Sequence, residues 1–274
     1  AALPSVTTVS TWDKKGAQGT GMLEAARARN VIWCDDAAAV YANADLIISA
    51  VTASNTTDVA ETAAAYIQPG SIFLDLNSAS PGTKKACAQR IENAGAHYVE
   101  AGVMTSVPPY GIKVPMLLGG ALAPELSEHL NAWGFDTAVA NTTLGIASAI
   151  KMSRSVMIKG LEALVIESFA TARVYGVERQ MLATLKETFP GIDWEKQGAY
   201  FFTRVAQHGQ RRAEEMRESA NTVAEAGFEP FMTQSIADKQ QWMADAAKAG
   251  VFKDIPSDAP WEVFADALIS ARRA

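Results

Sequence analysis

SIFLDLNSASPGTK, residues 71–84, carries the clearest sign of the fold in this chain. It opens with a short apolar run, passes through Asn, Ser, Ala, Ser, Pro and Gly, and enters a helical pattern at 82–94. An apolar run this short, bounded by turn residues, reads as a strand buried on both faces, as in a parallel sheet whose strands feed helices. Similar β-branched runs stand at 6–11 (VTTVST), 31–34 (VIWC), 46–51 (LIISAV), 97–103 (HYVEAGV), 115–120 (PMLLGG) and 137–140 (TAVA), with helical patterns between them at 59–67 and 123–132. Alternation of this kind predicts an α/β domain, a mostly parallel, doubly wound sheet with helices on both faces. After Asn141 no strand pattern returns. Helical patterns fill 145–175, 178–188, 194–226, 230–248 and 260–272, broken at Gly176, Pro190-Gly191, Gly227 and Gly250. The expected division is a sheet domain over 1–142 and an all-helical domain over 143–274.

The 274 residues, 49% hydrophobic and 20% charged, have the composition of a globular protein with room for two cores. A net charge of −6 argues against a nucleic-acid binder, which needs clustered Lys and Arg. No apolar run reaches the ~18 residues of a membrane span, and AALPSVTTVS lacks the basic and apolar regions of a secretory signal. Cys34 and Cys87 show neither metal nor disulfide spacing. No metal-ligand set is visible, and the expected location is the reducing cytoplasm.

In an open parallel sheet, ligands bind outside the carboxyl ends of the strands. Three segments there are rich in small polar residues: TASNTT after Val51, NSASPG after Leu76 and MTSVPPYG after Val103. Turns favour such residues in any case, yet three at one edge suggest a site. A dinucleotide fold should carry GxGxxG after its first strand. The segment Gly16-Ala-Gln-Gly19-Thr-Gly21 has the wrong spacing, since counting from Gly19 the third glycine falls on Glu24. It reads as a surface loop. Asp13 ends the strand before it, where an acidic residue ending a second strand grips ribose hydroxyls, and Lys14 and Lys15 could instead take a 2′-phosphate. A solvated strand end is the alternative for all three. If Asp13 ends a second strand, a first strand–loop–helix unit of roughly 30 residues is missing from the sequence, and the strand at 6–11 should flank an empty central position.

The helix GIASAIKMSRSVMIKGLEAL, 145–164, gathers Ser148, Lys151, Ser155, Lys159 and Glu162 within roughly 80° of its circumference. The rest is largely apolar, as in an interior helix. A stripe of lysine and hydroxyl groups on such a helix must meet something polar.

Several segments resemble the 6-phosphogluconate dehydrogenase / β-hydroxyacid dehydrogenase superfamily of NAD(P)-dependent enzymes. FLDLNSASPGTK (73–84) and EAGVMTSVPPYGIKVPMLLGG (100–120) are similar to its two substrate loops, and 145–155 to its interdomain helix, with Lys151 at the place of the catalytic lysine. SRSVMIKGLEAL and HGQRRAEEMRE resemble a subgroup of dehydrogenases with its own C-terminal helical domain. The resemblance implies a Rossmann-like domain, NAD or NADP as cofactor, and pairing into a homodimer through the helical domain. Two departures stand out. Ser155 replaces the usual Asn one turn after the lysine, and Met104-Thr105-Ser106 replaces Ser-Gly-Gly, so the usual substrates do not carry over.

The expected reaction is hydride transfer between nicotinamide and a small hydroxy acid or related alcohol or carbonyl compound. Lys151 is the proton acceptor, its pKa lowered by partial burial and by Lys159. Ser155 lies about 6 Å further along the helix and orients the reacting oxygen; Lys159, about 12 Å along, meets an anionic tail. Alternatively, both lysines pair with carboxylates or snorkel. Asp13, Val51, Thr52 and Asn77 are cofactor-binding candidates. Ser78, Thr105, Ser106, Lys159 and His208 are substrate-binding candidates, and Lys151, Ser155 and Lys159 are expected to line a cleft between the domains, facing 77–80 and 105–106. Arg211 and Arg212 join His208 either as an anion cluster or as a solvated helix face, while His97 and His129 read as structural. An imine or ketoacid reductase, or a non-catalytic cofactor-binding protein of the same fold, are the other readings. Phe201, Phe202, Phe228, Phe231 and Trp242 are candidates for the dimer interface core.

Overall fold

The computed structural model describes residues 8–16 and 21–273, which form two compact units, Ala1–Met152 and Ser153–Ala274 by their limits. The first unit carries the strands β1 (Ser10–Thr11), β2 (Ile32–Trp33), β3 (Leu46–Ser49), β4 (Ile72–Asp75), β5 (His97–Val103), β6 (Pro115–Gly119) and β7 (Asp136–Asn141). Its helices are α1 (Met22–Arg27), α2 (Ala37–Tyr41), α3 (Thr56–Ala64), α4 (Pro81–Asn93), the single turn α5 (Val107–Tyr110) and α6 (Ala123–Ala132). Then come only helices: α7 (Ile146–Tyr175), α8 (Glu178–Thr188), α9 (Trp194–Glu225), α10 (Phe231–Lys248) and α11 (Trp261–Arg273).

Five strands form one sheet in the order β3-β4-β5-β6-β7, and β1 and β2 pair in a separate parallel ribbon. Among the described residues β1 pairs only with β2, and β3 only with β4. Pairing is parallel except between β5 and β6. Residues 104–114 hold only short helical turns and no crossover helix, so the chain returns alongside β5 in the opposite sense. Side chains alternate across the sheet. Phe73 and Tyr98 face one layer with Ile47, Cys87 and Ile91, while Leu74 and Val99 face the other with Leu118, Leu126 and Leu130. Helices thus cover both faces, as a doubly wound Rossmann-like sheet requires.

The helical unit is built on aromatic packing. Phe169 meets Trp261 edge-on at 5.0 Å, and Phe202, Phe252 and Phe264 close the same core. Phe201 and Phe202, expected at a dimer surface, belong to this core, because α9 turns them toward α11 and α7. Phe228, Phe231 and Trp242 are exposed. Helix α7 also differs from expectation. Its polar stripe is the buried side, with Ser148, Ser155, Lys159 and Glu162 all under 9% exposed, whereas Ile150, Met157, Leu161 and Leu164 are open. The division between units falls inside α7 rather than at 142–143, because the first residues of this helix are tied to the sheet.

Candidate active site

The parallel strands β3 and β4 end level with one another, Ser49 pairing with Asp75, and Asp75 pairs in turn with Glu100 inside β5, which runs on to Val103. Two carboxylates therefore lie side by side, fully buried, level with the ends of β3 and β4. Each is neutralised in its own way. Asp75 takes an ion pair from buried Lys84 at 2.9 Å, the N–H of Asn77 at 2.8 Å and the Tyr98 hydroxyl. Burial and the neighbouring Asp75 hold the Tyr98 phenol well above its ordinary pKa, so it remains a donor. Glu100 accepts the N–H groups of Gly145, Ala147 and Ser148 at 2.7, 3.0 and 3.3 Å. These are donors that the start of α7 cannot use internally, and the helix dipole favours an anion there. The carboxylate needs Gly119 opposite, since a methyl group there would sit 2.5 Å from Glu100 Oε1.

Past Ser49 and Val103 the edge opens, with Val51, Thr52 and Thr105 exposed, while Asn77 stays buried. Asn77 Oδ1 accepts the Val51 N–H at 2.7 Å, and its amide donates to Ser49 Oγ at 3.0 Å, so Asn77 braces the end of β3. Val51 and Thr52 are exposed, and Thr52 Oγ1 accepts from Asn55 at 2.8 Å. Ser78 is half-buried between buried Asn77 and Ala79, and Ser80 caps α4 through the Thr83 N–H. Thr105 is exposed, and Ser106 stands half-buried at the N-cap position of α5. Gly102 brings the helix in. A methyl group there would lie 3.1 Å from the Ala147 carbonyl oxygen and 3.4 Å from Lys151 Cβ. Only glycine lets α7 approach so closely, and half-buried Lys151 is thereby set beside the end of β5, where 104–106 begin. Pro81 and Lys85 of α4 crowd Gly145 in the same way, joining the loop at 77–80 to the start of α7.

This edge suits a dinucleotide. Its buried carboxylates are matched by Lys84 and by a helix N-terminus, so no uncompensated negative charge opposes a pyrophosphate. At the ribbon, half-buried Asp13 accepts the Lys15 N–H at 2.8 Å with one oxygen, and Lys14 and Lys15 are exposed. Gly19, in the rejected glycine motif, lies outside the described residues.

Of the other expected site residues, all in the helical unit, Ser155 and Lys159 form a buried network there. Lys159 pairs with Glu215 at 3.0 Å and donates to Ser155 Oγ at 3.1 Å. Arg212 grips Glu162 through its Nε and Nη2 groups, and Gln240 also donates to Glu162. Arg211 reaches the other Glu215 oxygen at 2.8 Å. Lys159 and Arg212 are thus engaged by carboxylates, and Glu215 balances the charge by which Lys159 was expected to act on Lys151. Exposed His208 stands outside the network. Partial burial and the charges of Arg211, Arg204 and Arg212 lower its pKa. Among the described residues no cluster of His, Cys, Asp and Glu could hold a metal ion, and no helix is long and apolar enough to cross a membrane.

Asp75, Lys84, Glu100, Gly102 and Glu215 escaped the sequence reading. The signal for two of them was present: SIFLDL and HYVEAGV each put an acid inside an apolar strand, and a charge so placed must be paired.

Residues 5–108 match the family model "NAD binding domain of 6-phosphogluconate dehydrogenase", and 172–243 match "Domain of unknown function (DUF1932)". The uncharacterized 28.5 kDa protein in the 7S RNA 5′ region of Methanothermus fervidus is 30% identical over 193 residues, 69% of this chain and 72% of that protein. The structure of a conserved hypothetical protein from Sinorhizobium meliloti 1021 is 37% identical, with a TM-score of 0.73 over 97% of this chain and 88% of that one. That of the conserved protein MTH1747, described as of unknown function and structurally similar to 3-hydroxyacid dehydrogenases, is 30% identical, with a TM-score of 0.65 over 88% of this chain and 90% of that one. The chain belongs to the family that joins the NAD-binding domain of 6-phosphogluconate dehydrogenase to a DUF1932 domain, on a hydroxyacid dehydrogenase-like, NAD(P)-dependent oxidoreductase fold.

Proposed function

We propose that the protein is a dehydrogenase that interconverts a small hydroxy acid, or a related alcohol, with its carbonyl form, and that Lys151 carries the proton. The observation behind this reading is the glycine contact at Gly102, which sets Lys151 at the strand edge beside the loops at 77–80 and 104–106. A bound nicotinamide supplies the hydride acceptor or donor. In the oxidation, the substrate C–H bond gives up its hydrogen with the electron pair, the O–H proton passes to the Lys151 amine, and the C–O bond becomes a carbonyl. In the reverse direction the Lys151 ammonium returns that proton to the oxygen. Ser78, Thr105 and Ser106 offer hydroxyl and backbone donors to the remainder of the substrate, and Ser155, one turn past Lys151, offers a donor to the reacting oxygen. Asp13, Val51 and Thr52 would hold the cofactor, with Asn77 bracing Val51.

The test is NAD- and NADP-linked turnover of 3-hydroxypropionate, 3-hydroxyisobutyrate and L-serine, with the matching aldehydes in reverse. Lys151→Met should lower kcat by ~10²–10⁴-fold with cofactor affinity nearly unchanged. A Lys151→Met enzyme of normal rate would favour a reductase in which the lysine only donates a hydrogen bond. Cofactor binding without turnover of any of these compounds would favour a non-catalytic protein.

A further inference from the structure

The end of β3 is held by a side chain rather than by the ladder. Leu76 donates to the Ser49 carbonyl at 2.9 Å, and the next bond of a parallel ladder would bring the Val51 N–H to the carbonyl of Leu76. Val51 donates instead to Asn77 Oδ1 at 2.7 Å. This fixes the amide: its oxygen must face Val51, so its NH2 faces Ser49 Oγ, 3.0 Å away. Asn77 is itself clamped from beneath. Its N–H donates to Asp75 Oδ1 at 2.8 Å, and Lys84 holds the same oxygen at 2.9 Å and the Asp75 carbonyl at 3.0 Å. Asp75, Lys84 and Asn77 are 0%, 1% and 2% exposed, so water does not compete for these bonds.

The clamp settles the direction of one carbonyl. Among the described residues the cis peptide is Pro108-Pro109, so Ala50–Val51 is trans and its C=O points opposite to its N–H. With that N–H turned toward Asn77, the Ala50 carbonyl points away from β4. Ala50, Val51 and Thr52 are exposed, and among the described residues no hydrogen bond reaches the Ala50 oxygen. An accessible acceptor thus stands at the carboxyl end of a parallel strand, where such sheets take their ligands. Ala50 and the whole clamp lie within the NAD-binding domain. Of the groups of a dinucleotide, phosphates only accept hydrogen bonds, whereas a ribose hydroxyl can donate one to a carbonyl.

We propose that Asn77, held by Asp75 and Lys84, is a positioning residue that does not touch the cofactor: it turns the Ala50–Val51 peptide so that the Ala50 carbonyl accepts a ribose hydroxyl of NAD(P). This rests on the NAD(P)-binding fold and not on the dehydrogenase reading. It also gives Asn77 a different task from the direct contact its place in the sequence suggested.

The experiment is NMR on the full chain, labelled with 13C at alanine carbonyls and 15N at valine so that only Ala–Val peptides are seen. There are three, at 39–40, 50–51 and 138–139. Saturating NADH or NADPH should move the Ala50 carbonyl resonance and leave those of Ala39 and Ala138 in place. The Val51 amide should stay protected from solvent exchange with and without cofactor. In Asn77→Ala that amide should exchange freely, the Ala50 response should vanish, and the NADH Kd should rise about three- to tenfold, the effect of one lost hydrogen bond. ADP in place of NADH assigns the hydroxyl: a response to ADP puts the adenosine ribose on the carbonyl, and a response to NADH alone puts the nicotinamide ribose there. A merely structural asparagine would cost stability in Asn77→Ala but leave the Kd and the Ala50 response intact, and that result overturns the proposal. So does a wild-type Ala50 carbonyl that ignores the cofactor, or a Val51 amide that loses protection when NADH binds. If Asn77→Ala does not fold, these two wild-type readouts decide. A wild type that binds neither NADH nor NADPH also overturns the proposal. One that binds and responds but turns nothing over ends only the dehydrogenase reading.

Discussion

Glu100→Gln isolates the contact that ties the lysine-bearing helix to the sheet. The native carboxylate uses Oε1 for the Gly145 and Ala147 N–H groups at 2.7 and 3.0 Å, and Oε2 for Ser148 at 3.3 Å. Glutamine can keep the first two, but its NH2 then faces the Ser148 N–H, donor against donor. The site is fully buried, so water cannot take over. One charge-assisted bond is lost, worth about 1.5–3 kcal/mol, and the helix N-terminus loses an anion worth up to about 2 kcal/mol in a partly buried setting. A neutral amide is cheaper to bury than a carboxylate, which offsets part of this. The net expectation is about 2–3 kcal/mol, confined to the start of α7. Native-state hydrogen exchange read by mass spectrometry on the segment around 145–150 should then be roughly 30- to 150-fold faster. Exchange within threefold of wild type would refute the idea that this carboxylate anchors the helix. Under the dehydrogenase reading kcat should fall as well, since Lys151 lies one turn beyond Ala147.

Gly102→Ala places a methyl 3.1 Å from a backbone carbonyl that cannot rotate away, so α7 must shift by a few tenths of an ångström. Displacement of about 1 Å costs about a hundredfold in rate, so kcat should fall roughly three- to tenfold, and an unchanged kcat would sink the placement of Lys151. Cys87, pushed up to about 11 by burial, should resist a thiol reagent at pH 8 while half-buried Cys34 reacts, and labelling of Cys87 in the folded protein would contradict its burial. The folded thiol keeps its proton to about pH 11 whereas the unfolded one ionises near 9.0, so stability should decline between those values. Cys87→Ala should flatten that decline in urea titrations, and an identical slope would show that the thiol contributes nothing. Met157, Leu164 and Phe231 are 66%, 55% and 75% exposed, which supports a homodimer through the helical unit. Light scattering at micromolar concentration should give twice the chain mass and Met157→Asp should lower it; a monomeric wild type would end that expectation.

The alternation of short apolar strands with helices was written in the sequence because both periods are local. Residues 123–132 and 178–188 read as helices and are α6 and α8 to the residue. The loss of strands after Asn141 is equally a matter of local pattern, as is the stripe that puts Lys151, Ser155 and Lys159 on one side of α7. Sequence spacing also singled out the loop at 77–80 and its neighbours, since small polar residues after apolar runs mark strand ends. Which side of α7 is buried could not be read this way. Periodicity shows that a stripe exists, but its environment depends on partners far along the chain: Glu215 and Arg212, some 50 residues on, take the charges that seemed free for a ligand. The same holds for Glu100 and Asp75. Their neutralisation by a helix N-terminus and by Lys84 needs contacts that exist only once the strands are in register. Pattern along the chain fixes which elements form. Only packing decides which polar groups are consumed inside the fold and which are left to act.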